Sequence, residues 1–369
     1  DSRNLPYANN TDLFVSHIDF RELDQHKSLL TGIRVLGRVI YSGEARRKFG
    51  RLLDRFQPDI VHLQNIHAHI TPSIIFEADQ RRIPIVWTIH DYKLVCPNSH
   101  FLIDQTGEIC EACRGGRFWR AAQKRCKKNS LLASAMASME AYAHQWIGIR
   151  EKVNLFFSPS AFLRTKLLEC GFDACKVIHL PLFLPEDAFS RSKEDNGYIL
   201  FIGKLEPLKG IHMLIAAARM APEVQVVLAG RAEEPLLSQL PSLLPPNAKY
   251  VGFMAGQELS SLKHHARAVI VPSLWYENQP FSILEAFAFG KPVITTNLGG
   301  MRELIGENER GRLIPLGNPE SLALTMNWMV KHPLDARQLG EAAFQYAKEQ
   351  HYSQGHYQRL QAIYQDTLK

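Results

Sequence analysis

The chain has 369 residues, 46% hydrophobic and 22% charged, with a formal net charge of +6. This composition excludes a disordered polymer and suits two soluble domains. No apolar run reaches the ~18 residues of a membrane-spanning helix, the charge is too diffuse to argue for nucleic acid, and the start carries no signal-peptide pattern, so a cytoplasmic location is expected.

Asp1 to Asn10 are polar, turn-rich and without period. From Lys27 to Phe56 apolar residues recur at helix-face spacing (Leu29, Leu30, Ile33, Leu36, Ile40, Phe49, Leu52, Leu53), with Arg46, Arg47, Lys48 and Arg51 expected on the exposed side. Asp59-Ile-Val-His-Leu-Gln64 is an expected strand, followed by a loop with Asn65, His67 and His69. Ile83 to Ile89 repeats the arrangement and delivers His90 and Asp91. Ligands of open α/β sheets bind beyond the carboxyl ends of strands, which makes Asn65, His67, His90 and Asp91 candidates. A lone histidine is more often structural, but here two are delivered at one sheet edge.

Cys96, Cys110, Cys113 and Cys126 form a C-x13-C-x2-C-x12-C pattern within a segment, 96–128, that reads as a loop-like insertion. The spacing resembles a zinc knuckle, in which thiolates fold a segment poor in apolar residues; the alternative is four reduced thiols. The same segment holds Arg114, Arg117, Arg120, Lys124, Arg125, Lys127 and Lys128 around Phe118 and Trp119, expected to be exposed. Basic residues beside exposed aromatics suit an anionic membrane surface, and equally a solvated face or an acidic partner. A long helix (Ser130 to Arg150), a strand (Asn154 to Ser158), a helix (Ala161 to Cys170) and a strand (Lys176 to Leu180) follow, then a linker from Pro181 to Gly197.

The second half alternates strand and helix, hence a parallel sheet. Tyr198 to Gly203 is a strand, Lys204 to Gly210 a loop and Ile211 to Met220 a helix. Strands are expected at Val224 to Ala229, followed by Gly230, and at Tyr250 to Phe253, Val269 to Pro272 and Val293 to Thr296. The last two flank a loop with Glu277 and a helix, about Phe281 to Phe289, with Glu285 near its N-terminus. Gly203-Lys204-Leu-Glu-Pro-Leu-Lys209-Gly210 places two lysines five apart across a turn after a strand-ending glycine, where both can reach one diphosphate. Gly299-Gly300 opens a further helix. Ser282-x-x-Glu285 also fits a capping box, in which Glu285 merely bonds its own helix start. Gln338 to Lys369 reads as two helices with a break near His351 to Gly355.

The E-x7-E spacing in Glu277-Asn-Gln-Pro-Phe-Ser-Ile-Leu-Glu285, with Gly290-Lys-Pro-Val and Gly299-Gly300, resembles retaining glycosyltransferases of the GT-B fold, family 4 (glycosyl transferases group 1). The resemblance spans nearly the whole chain, most specifically Tyr198 to Gly317. It implies two Rossmann-like α/β domains with parallel sheets facing across a cleft: 1–186 on the acceptor side, 187–350 for the nucleotide-sugar, and 351–369 crossing back to the first. It also implies that the family's first strand and glycine-rich turn precede the region resembling Asp12 to Asp19, so that a few dozen residues are expected before Asp1.

The implied donor is a nucleotide-diphospho-sugar, UDP- or GDP-linked, with no catalytic metal; zinc, if bound, is structural. Glu285 would hold ribose hydroxyls and Glu277 sugar hydroxyls, with His90 lining the sugar site and Lys204 and Lys209 on the diphosphate. Gly203, Gly230, Asn278, Gln279, Pro280, Phe281, Ser282, Gly299 and Gly300 would complete the donor site. Lys204 departs from the family's usual arginine and loses its bidentate fork. The implied acceptor is a carbohydrate or lipid-linked saccharide. A nucleotide-sugar 2-epimerase and a non-catalytic nucleotide-sugar binder are the other readings.

Overall fold

A computed structural model describes residues 11–16, 37–38, 40–67, 70–192 and 194–369. The residues grouped as Leu29, Leu30, Ile33 and Leu36, the polar start and His69 lie outside these. The chain divides into two units: 1–159, 164–179 and 361–369 form the first, 160–163 and 180–360 the second.

The first unit is built on a parallel sheet of four strands in the order β1 (Val61–Leu63), β2 (Ile85–Thr88), β5 (Leu155–Ser158), β6 (Val177–His179). Strands β3 (Leu102–Ile103) and β4 (Glu108–Ile109) form a separate antiparallel hairpin. Val86, Trp87, Phe156 and Phe157 are buried, as expected of a parallel sheet covered on both faces. The helix expected up to Phe56 is interrupted at Tyr41 and Ser42 and restarts as Gly43–Phe56. Ser42 adopts an extended conformation and its side chain accepts from the Ala45 N–H, so it works as an N-cap where apolar spacing alone saw a continuous helix. The expected helix Ser130 to Arg150 likewise runs only from Leu131 to Trp146; Gly148, at φ 72°, turns the chain into a short helix, Ile149–Lys152.

The insertion is more structured than its composition suggested. Besides the hairpin it contains a helix, Trp119–Lys124, and its own apolar centre: Phe118 is buried with Ala121, Cys113 and Cys126. Phe118 is therefore not the exposed aromatic expected; Trp119 is.

The second unit holds a six-stranded parallel sheet. Its order is β12 (Gly311–Ile314), β11 (Val293–Thr296), β10 (Ala268–Val271), β7 (Ile199–Ile202), β8 (Val226–Ala229), β9 (Ala248–Tyr250). Counted within the unit this is 6-5-4-1-2-3, the Rossmann arrangement, and the order reverses between β7 and β10. Alternate residues feed two cores: Ile199, Phe201, Ile270 and Ile294 enter one, while Leu200, Val269, Val271 and Val293 enter the other. The second core includes Leu284 and Phe287 of the helix Phe281–Ala288, which fixes that helix beside β10 and β11. Phe287 is fully buried, and its truncation to alanine costs about 3–5 kcal/mol.

Candidate active site

The reversal point between β7 and β10 is where a doubly wound sheet leaves a crevice outside its strand ends. Here β7 delivers Gly203 to Gly210 and β10 delivers Ser273 to Glu277. The two loops are joined by the Leu274 N–H donating to the Leu208 carbonyl at 2.9 Å. Lys209 Nζ donates to Glu277 Oε1 at 2.6 Å, and Ser273 Oγ donates to the same oxygen at 2.9 Å. Glu277 is 6% exposed. Lys209 also lies 5.5 Å from the centre of the Trp275 ring.

The backbone of the Glu277 loop is clasped by the start of the helix Gly299–Ile305, with the Gly300 N–H donating to the Glu277 carbonyl at 2.9 Å. A Cβ on Gly300 would stand 1.6 Å from the Asn278 carbonyl oxygen, so no other residue fits without moving the loop. Gly230 is similar: its Cβ would stand 1.7 Å from the Gly203 carbonyl oxygen. Its evident role is to let the ends of β7 and β8 approach.

Several expected donor-site residues have hydrogen-bond partners within the chain. The Asn278 side chain accepts from Ser160 Oγ at 2.6 Å and Gln279 Oε1 accepts from the Leu182 N–H at 2.6 Å, so both side chains hold the chain itself. Both are buried, which matches that use. Pro280 is the N-cap of the helix Phe281–Ala288, which has no side-chain cap. The capping box imagined for Ser282 and Glu285 therefore does not form. Glu285 instead accepts from Lys263 Nζ at 2.5 Å. Lys263 is buried on the helix Gly256–His265, and nothing in its local sequence distinguished it from a surface lysine. Phe281 is exposed.

Lys204 and Lys209 have different carboxylate partners. Lys204 is half-exposed and leans on Glu206 and Glu233, at 3.2 and 3.3 Å, and these neighbours raise its pKa.

In the first unit, His90 Nε2 lies 2.7 Å from Gln64 Oε1. Burial pushes the His90 pKa down, against the opposing pull of Asp91, which favours the neutral ring. Asp91 accepts from the Lys93 N–H at 2.8 Å and lies 3.9 Å from His67 Nε2. Burial also drives His67 toward neutrality, and its ring packs 5.5 Å from the Trp87 ring; its buried Nδ1 has no hydrogen-bond partner among the described residues. The structure thus brings His67, His90 and Asp91 to one sheet edge, while Asn65 is exposed in the loop beside them. Gln64 was seen only as the end of a strand.

All four cysteines of the insertion are free thiols. Burial pushes Cys113 up to about 12, and the neighbouring Cys96, Cys126 and Cys110 add to it; Cys126 is pushed up to about 11, again chiefly by burial. Yet among the described residues no three or more His, Cys, Asp or Glu form a set that could hold a metal ion. The apolar centre around Phe118 contributes cohesion of its own to the segment.

Of the basic residues, Arg47 and Arg51 are exposed as expected, while others are engaged. Arg46 is drawn onto Glu77 and Tyr41, Lys48 onto Glu44 and Arg114 onto Glu169. Arg117, Lys124, Arg125 and Lys128 remain exposed near Trp119. No helix among the described residues is long and apolar enough to cross a membrane.

Residues 14–184 match the family described as Glycosyltransferase Family 4, and residues 185–346 match Glycosyl transferases group 1. The D-rhamnosyltransferase WbpZ of Pseudomonas aeruginosa is 29% identical over 42% of this chain and 41% of its own length, so the match spans less than half of that relative. Glycogen synthase of Mycobacterium tuberculosis is 30% identical over 83% of this chain and 68% of its own. The Anabaena protein HepE, solved in complex with UDP, superposes with a TM-score of 0.65 at 18% identity, covering 87% of this chain and 82% of that one, which is a likeness of fold. With two Rossmann-like units and these matches, the chain belongs to the glycosyltransferases of family 4, group 1.

Proposed function

We propose that this protein transfers a sugar from a nucleotide-diphospho-sugar, UDP- or GDP-linked, to an acceptor hydroxyl with retention at the anomeric carbon. The observation that carries this reading is the Lys209–Glu277 pair at the reversal point of a Rossmann-order sheet. A buried carboxylate pinned through one oxygen is pre-set to accept hydrogen bonds from sugar hydroxyls. A lysine held beside it can neutralise the charge that grows on a departing diphosphate without a metal. Glu285, fixed by Lys263, is assigned to the ribose, and Lys204 to the outer diphosphate oxygens. His90, kept neutral, is assigned to the sugar. Retention would follow from attack on the face the diphosphate leaves, because no carboxylate is evident as the nucleophile of a double displacement.

The UDP bound by HepE makes UDP-sugars the first donors to try. A thermal-shift panel of UDP-, GDP-, ADP- and CMP-sugars tests donor class, since a ligand at 100 times its Kd stabilises by about 2.7 kcal/mol. Product analysis then separates the classes of activity. Transfer requires an acceptor, an epimerase changes the donor alone, and a binder does neither. For the acceptor side we assign a lipid-linked saccharide of polysaccharide or glycolipid assembly at an anionic membrane surface, supported by the exposed Arg117, Lys124 and Arg125 beside Trp119.

A further inference from the structure

His62 of β1 and Gln64, the first residue after the strand, are two positions apart, and their side chains meet on one side of it. His62 pairs in register with Val86 of β2, which puts Thr88 diagonally beside it on that face and brings the end of β1 next to the segment that carries His90. The side chains connect across this face. His62 Nε2 lies 2.7 Å from Thr88 Oγ1 and 2.9 Å from Gln64 Nε2, and Gln64 Oε1 lies 2.7 Å from His90 Nε2. On its other side, His62 Nδ1 is hydrogen-bonded to Tyr364 Oη, a residue of the helix Ser353–Thr367 that groups with this unit. The His62 ring stands edge-on to Phe157 and Tyr364, with centroids 5.4 and 5.8 Å away, so it has little freedom to turn.

The chemistry of the donors fixes the protons along this chain. An amide nitrogen only donates, so His62 Nε2 must accept and the neutral His62 carries its proton on Nδ1, toward Tyr364. With its nitrogen turned to His62, Gln64 presents its oxygen to His90, and an amide oxygen only accepts. His90 must therefore donate from Nε2. A histidine's tautomer is set by the hydrogen bond its ring makes.

We infer that Gln64 is a positioning residue for His90: it holds the imidazole as the Nε2–H tautomer, and His62, anchored by Tyr364 and Thr88, sets the orientation of Gln64. The inference rests on the proposed role of His90 only for its effect on rate; the tautomer itself can be read without any reaction.

The test uses the full chain with 15N-labelled histidine and long-range 15N–1H correlation. Wild type is expected to show His90 protonated at Nε2 and His62 at Nδ1. Gln64→Met keeps the length but removes both bonds; His90 is expected to shift toward a tautomer mixture, and kcat to fall about tenfold with a smaller change in donor KM. Gln64→Glu keeps an acceptor for His90, so it should restore the Nε2–H signal, while its negative charge beside both His90 and His62 moves the acid limb of the pH profile upward. Tyr364→Phe should disturb the His62 signals first and those of His90 less. Gln64 is exposed, and unchanged melting of its variants would confirm that folding is not what is being read. Unchanged His90 shifts in Gln64→Met would overturn the inference. If the shifts change as stated but His90→Ala transfers sugar at the wild-type rate, the positioning stands and the assigned role of His90 falls.

Discussion

Lys209 and Ser273 both donate to one oxygen of Glu277, at 2.6 and 2.9 Å, inside a loop whose carboxylate is almost fully buried. A carboxylate in that position needs its donors: losing the charged one leaves an uncompensated ion in a low-dielectric site. The pair therefore couples local stability to the site's chemistry.

Lys209→Met should lower transfer by about 10²–10³ in kcat and stability by roughly 2 kcal/mol. Adding Glu277→Gln should recover part of the stability and none of the activity, because the buried charge is gone but the site is not restored. Urea melts and single-turnover rates on both variants and their combination check this. Full transferase activity in Lys209→Ala would remove the basis for assigning sugar transfer to this loop.

Lys263 reaches Glu285 from a different helix, and Glu285 is only partly covered. Lys263→Met should thus weaken donor binding about tenfold, seen as a higher donor KM, with kcat nearly kept and stability changed by about 1 kcal/mol. Calorimetric titration with the free nucleoside diphosphate is the direct measurement. A donor affinity unchanged in Lys263→Met would mean that Glu285 does not need its partner to bind ribose.

Much of this was legible in the sequence, for identifiable reasons. Strands buried on both faces read as apolar runs, so β7, β10 and β11 and the loops at their ends could be found from spacing alone. What spacing cannot supply is the partner of each polar side chain. Glu277 and Glu285 were visible, but their cations come from 68 and 22 residues away. Asn278 and Gln279 were visible in the motif, but not that their amide oxygens accept from Ser160 Oγ and the Leu182 N–H. Ser42 starts a new helix where apolar periodicity ran on unbroken, since a cap depends on one residue's backbone and not on a pattern. In the insertion the partner that spacing could not supply is apolar: Phe118, read as a surface aromatic, is its buried centre.

Glu303 makes stability depend on pH. Its two carboxylate oxygens accept from the Ala161 and Phe162 N–H groups, at 3.1 and 3.0 Å, capping the helix Ala161–Glu169. Burial nevertheless outweighs those bonds and pushes its pKa up to about 7 from 4.5. Between those values the folded state binds more protons than the unfolded one, so this group's contribution is complete below about pH 4.5 and is lost as pH rises through 7. Glu303→Gln should flatten that part of the profile, a difference on the order of 1–2 kcal/mol after allowing for partial exposure. Melting curves from pH 5 to 8 decide it; parallel profiles for the two proteins would show that the shift is not expressed in solution.

The insertion should behave as an apolar unit. Phe118→Ala is expected to cost about 3–5 kcal/mol and Cys113→Ala roughly 1 kcal/mol, with no change in melting when a strong chelator is added. Elemental analysis of protein purified without a histidine tag should accompany the melts. A melting temperature that drops with chelator and returns with zinc would instead establish a four-thiolate site, for which the predicted content is one equivalent.

The final expectation concerns the lipid surface. Leu132, Met139 and Trp146 recur every seven residues along the helix Leu131–Trp146, so they share one face, and all three are exposed, Trp146 at 81%. Trp119 and the uncommitted Arg117, Lys124 and Arg125 belong to the same unit. Arg46, Lys48 and Arg114 are engaged by carboxylates, whereas Arg47 and Arg51 are exposed, as are Arg117, Lys124 and Arg125, each contributing about 1 kcal/mol near an anionic surface. The apolar face and Trp119 favour the latter three as the lipid contact. Co-sedimentation with anionic liposomes should weaken about a hundredfold when Arg117, Lys124 and Arg125 are neutralised together and should fall with salt. Neutralising Arg46 and Lys48 should change it little. Trp146→Ala should weaken binding at high salt more than at low salt in relative terms, because apolar contact is what remains once the charges are screened. Equal binding to neutral liposomes, or none to anionic ones, would make a soluble acceptor the better assignment.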